Sequence, residues 1–219
     1  VDVESLKLIK KGIENLTGIQ DFKGLKNLEV DGNLLTNINL DSNLNLIQLT
    51  VSENRLKILD LSGNKELKLL ICSRNELEKL NLPEGDNFQR LVCTNTKLKE
   101  LDLSMYPNMD FLICDNNSEL CNLDLRTGNN YSMLRFSAFN NNQLSCISVD
   151  DVVWSTANWD TLIDSTRIFS VDCSKSSINY MKKANGCIIY PNPTLGELRI
   201  DRIQPGAIFC IKSESGMTV

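Results

Sequence analysis

Apolar residues recur along this chain at intervals of 21, and nothing else limits its fold so severely. Leu25, Leu46, Leu67, Phe88 and Met109 hold one place in the repeat, and Leu28, Leu49, Leu70, Leu91 and Leu112 the next. Val30, Val51, Cys72, Cys93 and Cys114 hold a third. The alternation Leu49-Thr50-Val51 has the period of a strand, with Leu49 and Val51 on one face and Thr50 on the other. Leu59-Asp60-Leu61 repeats that alternation in the second half of the same unit. One copy buries too little to offset the entropy of ordering its own backbone. Copies stacked in register cover each other's faces and exchange strand hydrogen bonds, so the period demands a stack.

Read in full, Leu46–Asn64 contains L-x-x-L-x-V-x-x-N and then L-x-x-L-x-L-x-x-N. In this nested form the chain resembles the short leucine-rich repeats of bacterial surface proteins, with the Bacteroidetes type as the nearest pattern. The resemblance implies a mainly β solenoid of about six 21-residue nested coils, with extended segments on both sides and little helix. Residues 1–24 read as an N-terminal cap or partial repeat, because Ile13, Leu16 and Ile19 carry only part of the pattern. The repeats then occupy 25–145. Asn33, Asn54, Asn75, Asn117 and Asn141 follow the strands, where their amides can satisfy backbone groups left inside the turn. Thr96 replaces the fourth Asn, and a second column holds at Asn43 and Asn64 before failing. Insertions near Ser118 and Asn129 to Tyr131 break the strict period late in the array.

Beyond Val149 the period stops. Residues 146–173 contain both tryptophans, Trp154 and Trp159, and read as an apolar lid over the last coil. Cys146 and Cys173 bracket that lid and are candidates for a disulfide, two buried thiols being the other reading. A polar stretch at 174–186 reads as a linker. At 187–219, Tyr190-Pro191-Asn192-Pro193, Gly196 and the run Leu198-Arg199-Ile200 resemble the start of the sorting domain recognised by the type IX (Por) secretion system. The prolines fix a turn before a strand, and the segment reads as the start of a small β-sandwich. Only about 33 residues carry this resemblance. It implies export to the cell surface, the outer membrane or the medium, with the secretion machinery as a partner. Val1-Asp2-Val3-Glu4 has no basic or long apolar region of a signal peptide, so such a leader is expected to have been removed already or to lie outside this piece.

Composition narrows the chemistry. A formal net charge of −5 argues against nucleic acid, whose phosphates call for a basic face. No apolar run reaches the roughly 18 residues of a membrane helix. With no histidine, the chain lacks the commonest general base and most zinc sites. The eight cysteines include no C-x-x-C pair, and Cys72, Cys93 and Cys114 stack inward as small hydrophobes. No cofactor is expected.

Outward strand positions form columns in a stack. One column reads Glu29, Thr50, Ile71, Val92, Ile113, Ser137, and its neighbour Asn27, Gln48, Leu69, Arg90, Phe111, Arg135. Leu69, Ile71, Val92, Phe111 and Ile113, edged by Arg74 and Arg90, therefore form a candidate binding patch, although strand propensity alone also places branched residues there. A further column, Asn39, Asp60, Asn81, Asp102 and Asp124, reads as Asx-turns or as Ca²⁺ ligands. The sequence thus points to a non-enzymatic protein-interaction module, adhesion among its roles, taking a protein or glycan on its outer strands. A spacer for an absent domain is the alternative. A carboxylate hydrolase at Asp150-Asp151 is disfavoured, since neighbours on a strand point oppositely.

Overall fold

The computed structural model describes residues 3–173 and the backbone of two later strands, Ile188–Tyr190 and Arg199–Asp201. Seven short parallel strands form one sheet: β1 (Ser5–Lys7), β2 (Asn27–Glu29), β3 (Gln48–Thr50), β5 (Leu69–Ile71), β7 (Arg90–Val92), β9 (Phe111–Ile113) and β11 (Arg135–Ser137). Successive strands pair at the repeat spacing, Leu28 with Leu49, Leu49 with Leu70, Leu70 with Leu91 and Leu91 with Leu112. On the other side of the coils, β4 (Ile58–Asp60) pairs with β6 (Lys79–Asn81). Four more strands continue that side: β8 (Glu100–Asp102), β10 (Asn122–Leu125), β12 (Cys146–Val149) and β13 (Ile168–Ser170). The break between β6 and β8 falls at Pro83. Ser62 and Ser104, at the equivalent place in neighbouring coils, give their N–H to Asp60 and Asp102, and proline has none to give.

The core is the column set that the period brings together. Leu25, Leu46, Leu67, Phe88 and Met109 are all 0% exposed, as are Leu49, Leu70, Leu91 and Leu112. Asparagines stitch the coils from inside. Asn54 Nδ2 donates to Val30 O (3.0 Å) in the preceding coil and Val51 O (3.1 Å) in its own, while Oδ1 accepts from Leu35 N (3.1 Å). Asn75 and Asn117 repeat the scheme. Thr96 keeps the column continuous with its hydroxyl, which donates to Asn117 Oδ1 at 2.7 Å. In the second column Asn43 and Asn64 donate to carbonyls of the preceding coil. Tyr106 then takes over, stacked edge-on to Phe88 at 5.4 Å, before Asn130 resumes with Leu125 O and Asp150 N.

Each strand of the seven-stranded sheet exits through a residue with positive φ. Lys10, Gly32, Glu53, Arg74, Asn95, Asn116 and Asn140 all lie between +53° and +68°. Glu53 and Arg74 occupy this region without the freedom of glycine or the tolerance of asparagine. They form an ion pair across adjacent coils at 2.6 Å.

Both ends of the array add detail to the repeat. At the N-terminal end Ser5–Lys7 pairs with Asn27–Glu29 and forms the first of the seven rungs of the long sheet. Its offset from Leu6 to Leu28 is 22 residues, one more than the period, which hides the match. At the other end, the lid is helical at its centre. Asp151 caps α1 (Val152–Trp159) by accepting from Trp154 N at 2.9 Å, and a 3-10 turn follows at Asp160–Leu162. Trp159 is 3% exposed and meets Phe136 at 4.8 Å, closing the last coil. Cys146 and Cys173 are joined by a disulfide, with Cα atoms 5.8 Å apart.

The chain divides into compact units at residues 1–176 and 177–219. Within the second, β14 (Ile188–Tyr190) and β15 (Arg199–Asp201) pair antiparallel. The linker at 174–186, Pro191, Asn192, Pro193, Gly196 and the side chain of Tyr190 lie outside the described residues.

Candidate binding face of the long sheet

Each strand of the seven-stranded sheet sends its middle residue into the core and its first and third residues outward. Register places Leu69 beside Arg90 and Arg90 beside Phe111, with Ile71, Val92 and Ile113 forming the adjacent row. Leu69, Ile71, Val92, Phe111 and Ile113 are each half-buried by their neighbours and so present part of their surface. Rungs about 4.8 Å apart make these five side chains one continuous strip.

Charges frame the strip. Arg90 is held by a bidentate contact with Asp110, Nε to Oδ1 at 2.9 Å and Nη2 to Oδ2 at 3.1 Å. That hydrogen bonding, reinforced by the carboxylate's charge, raises the guanidinium's pKa further. Arg74 stands on the turn after β5, paired with Glu53, at the border of the strip rather than within it. Arg135 lies over the Phe111 ring, its guanidinium carbon 5.9 Å from the centroid.

The acidic column is spent on local turns. Asn39, Asp60, Asp102 and Asp124 each accept the N–H two residues on. The Ser62 hydroxyl and N–H and the Asn81 amide hold the Asp60 carboxyl below its usual range. At Asp124, burial opposes ionisation, and the hydrogen bonds from Arg126 outweigh it, so the pKa is again lowered. Among the described residues no group of three or more His, Cys, Asp or Glu could hold a metal ion. Asp150 and Asp151 do not converge: Asp150 Oδ1 accepts from Gly128 N, and Asp151 serves α1 and the Tyr131 hydroxyl.

Cys72, Cys93 and Cys114 are fully buried free thiols in successive coils. Burial, with a smaller push from Asp115, raises the Cys93 thiol to about 12. Burial likewise holds Cys72 and Cys114 well above the ordinary value. None of the three is poised as a nucleophile.

A second concavity escaped the repeat-based reading. Between β11 and the lid lies a cavity of about 550 Å³, bordered by Leu134, Phe136, Phe139, Trp154, Asn158 and Leu162. Its only sequence signal was the concentration of both tryptophans in the lid.

Stacked parallel strands, an internal asparagine ladder and leucine columns at the repeat spacing define a leucine-rich repeat solenoid. Among solved structures, the chain is similar to the functional domain of InlJ from Listeria monocytogenes, which includes a cysteine ladder. Identity is 26% and the TM-score 0.52, over 67% of this chain and 30% of that one. No family model and no curated protein matches the sequence. In this chain three successive coils carry inward cysteines at one position, Cys72, Cys93 and Cys114.

Proposed function

We propose that this chain is a non-enzymatic protein-interaction module that binds through the outward strip of its long sheet. The observation that carries the reading is the strip of five half-exposed branched and aromatic side chains, Leu69, Ile71, Val92, Phe111 and Ile113, on three consecutive registered strands. A pleated surface of fixed spacing holds these side chains with little entropy left to lose on association. The pinned Arg90, set between Leu69 and Phe111, adds a polar contact within the strip, and the paired Arg74 borders it. A protein ligand fits an apolar strip of this kind better than a glycan, which calls for more polar groups than the strip presents. The Tyr190-Pro191-Asn192-Pro193 and Gly196 motif supports a further reading, an exported bacterial protein at or released from the cell surface and handled by the type IX machinery.

The binding test compares wild type with Ile71→Asp/Ile113→Asp for attachment to intact cells and to the same cells after protease treatment. Loss of one or two central contacts costs about 2 kcal/mol or more, roughly 30-fold. Equal attachment by the variant refutes the strip, and attachment that survives protease points to a non-protein ligand.

A further inference from the structure

The outer column that carries Arg90 ends at the lid with a charge left over. Arg90 takes its carboxylate from the next coil, where Asp110 accepts from it at 2.9 and 3.1 Å. Arg135 holds the same place in the column on β11, and there the next coil is the lid. Counting back from the pairing of Ala138 with Ile163, Trp159 falls where Asp110 would stand. Trp159 turns inward against Phe136 at 4.8 Å instead. Among the described residues no carboxylate pairs with Arg135, Asp160 included, and its guanidinium rests only over the Phe111 ring.

Arg135 borders the cavity of about 550 Å³, which the buried Phe136 and Trp159 close toward the core. The rest of its lining is mixed. Phe139 is 36% exposed and Trp154 half-buried, and both bring aromatic carbon to the space. Asn158 Nδ2 donates to Trp154 O at 2.8 Å, which leaves its Oδ1 as the free acceptor. The Ser137 hydroxyl gives its proton to Asp115 Oδ1 at 2.7 Å and can only accept from a ligand. A volume of this size is that of a small-molecule site. One cation does not match a polyphosphate, and the polar wall does not suit an acyl chain. A sugar ring carries both kinds of surface, C–H faces for aromatic carbon and hydroxyls for the two acceptors. A carboxylate on that sugar would complete Arg135 as Asp110 completes Arg90.

We propose that the cavity between β11 and the lid is a second binding site, for a sugar acid such as a uronic or sialic unit of a polysaccharide. Its carboxylate accepts from the Arg135 guanidinium, its ring lies against Trp154 and Phe139, and its hydroxyls donate to Asn158 Oδ1 and Ser137 Oγ. The site is separate from the strip around Ile71 and does not depend on it.

Both tryptophans of the chain border the cavity, so intrinsic fluorescence reports its occupancy directly. The full chain is titrated with trigalacturonate, a hyaluronan tetrasaccharide and sialyllactose, and with lactose and maltotriose as neutral counterparts. At least one acidic probe should shift the emission saturably, and its methyl ester should bind roughly tenfold more weakly. Arg135→Gln should weaken the acid by a similar factor with an unchanged circular dichroism spectrum. Ile71→Asp/Ile113→Asp should leave that affinity unchanged, which separates this site from the outer strip. The proposal is overturned if no acidic probe moves the emission up to millimolar concentration. Equal binding of acid and ester, of acidic and neutral probes, or of wild type and Arg135→Gln also overturns it. So does a shift that sodium acetate alone reproduces, which denotes an anion contact without a sugar.

Discussion

Replacing Asn75 with alanine should unpick the solenoid from inside. Asn75 is 5% exposed and bonds four backbone groups: its Nδ2 donates to Val51 O at 2.9 Å, Cys72 O at 3.1 Å and Ser73 O at 3.4 Å, and its Oδ1 accepts from Leu56 N at 3.0 Å. The loss is not equal at all four. Val51 O keeps a second donor in Asn54 Nδ2 and Ser73 O keeps Glu53 N, whereas Leu56 N–H and Cys72 C=O lose the partner described for them. Two buried polar groups left unpaired cost about 1–3 kcal/mol each, so Asn75→Ala should destabilise by roughly 2–6 kcal/mol. Against a typical stability of about 5–15 kcal/mol, that is a large fraction. Asn75→Asp keeps the acceptor for Leu56 but turns a carboxylate toward the Cys72 carbonyl, and should be at least as damaging. Asn45→Ala removes an exposed amide that donates to Lys23 O, and should change stability by no more than about 0.5 kcal/mol. Urea denaturation followed by circular dichroism measures the global effect, and amide exchange at Leu56 the local one. If Asn75→Ala costs less than about 1 kcal/mol while the Leu56 amide stays as protected as in wild type, the asparagine ladder does not hold the coils together.

Two further outcomes follow from the same structure. The Trp154 N–H and the Tyr131 hydroxyl bond the ionised Asp151 carboxylate and lower its pKa in the folded lid below the ordinary 3.8. Its contribution is therefore complete above that ordinary value and is lost as pH falls through the depressed one. Tryptophan emission should report the lid loosening in acid, Asp151→Ala should weaken that dependence, and loosening as pH rises from 5 would contradict the sign. In a Cys187→Ser/Cys210→Ser background kept free of reductant, a thiol reagent should titrate one group natively, Cys121, and four after unfolding. Rapid native reaction at Cys93, whose burial raises it to about 12, would mean that the stack opens readily.

What could be read from the chain follows from how each interaction is encoded. Inward columns, the asparagine ladder and the outward strip all repeat at one spacing, so Leu49, Asn54 and Ile71 announce their places several times over. Parallel stacking then turns distance along the chain into neighbourhood in space, which is why the strip was legible before any coordinates.

Features occurring once had no such redundancy. Leu6 sits 22 residues before Leu28, so the first rung fell outside the period, and the helix of the lid had only eight residues in which to declare itself. Sequence alone determined that identical rungs must lie side by side, because a single coil cannot pay its own ordering entropy. Only the tertiary structure decided how the stack ends. How the last strand is covered depends on the packing of Trp159 against Phe136 and on the bond from Ala138 N to Leu162 O, which no repeating pattern encodes.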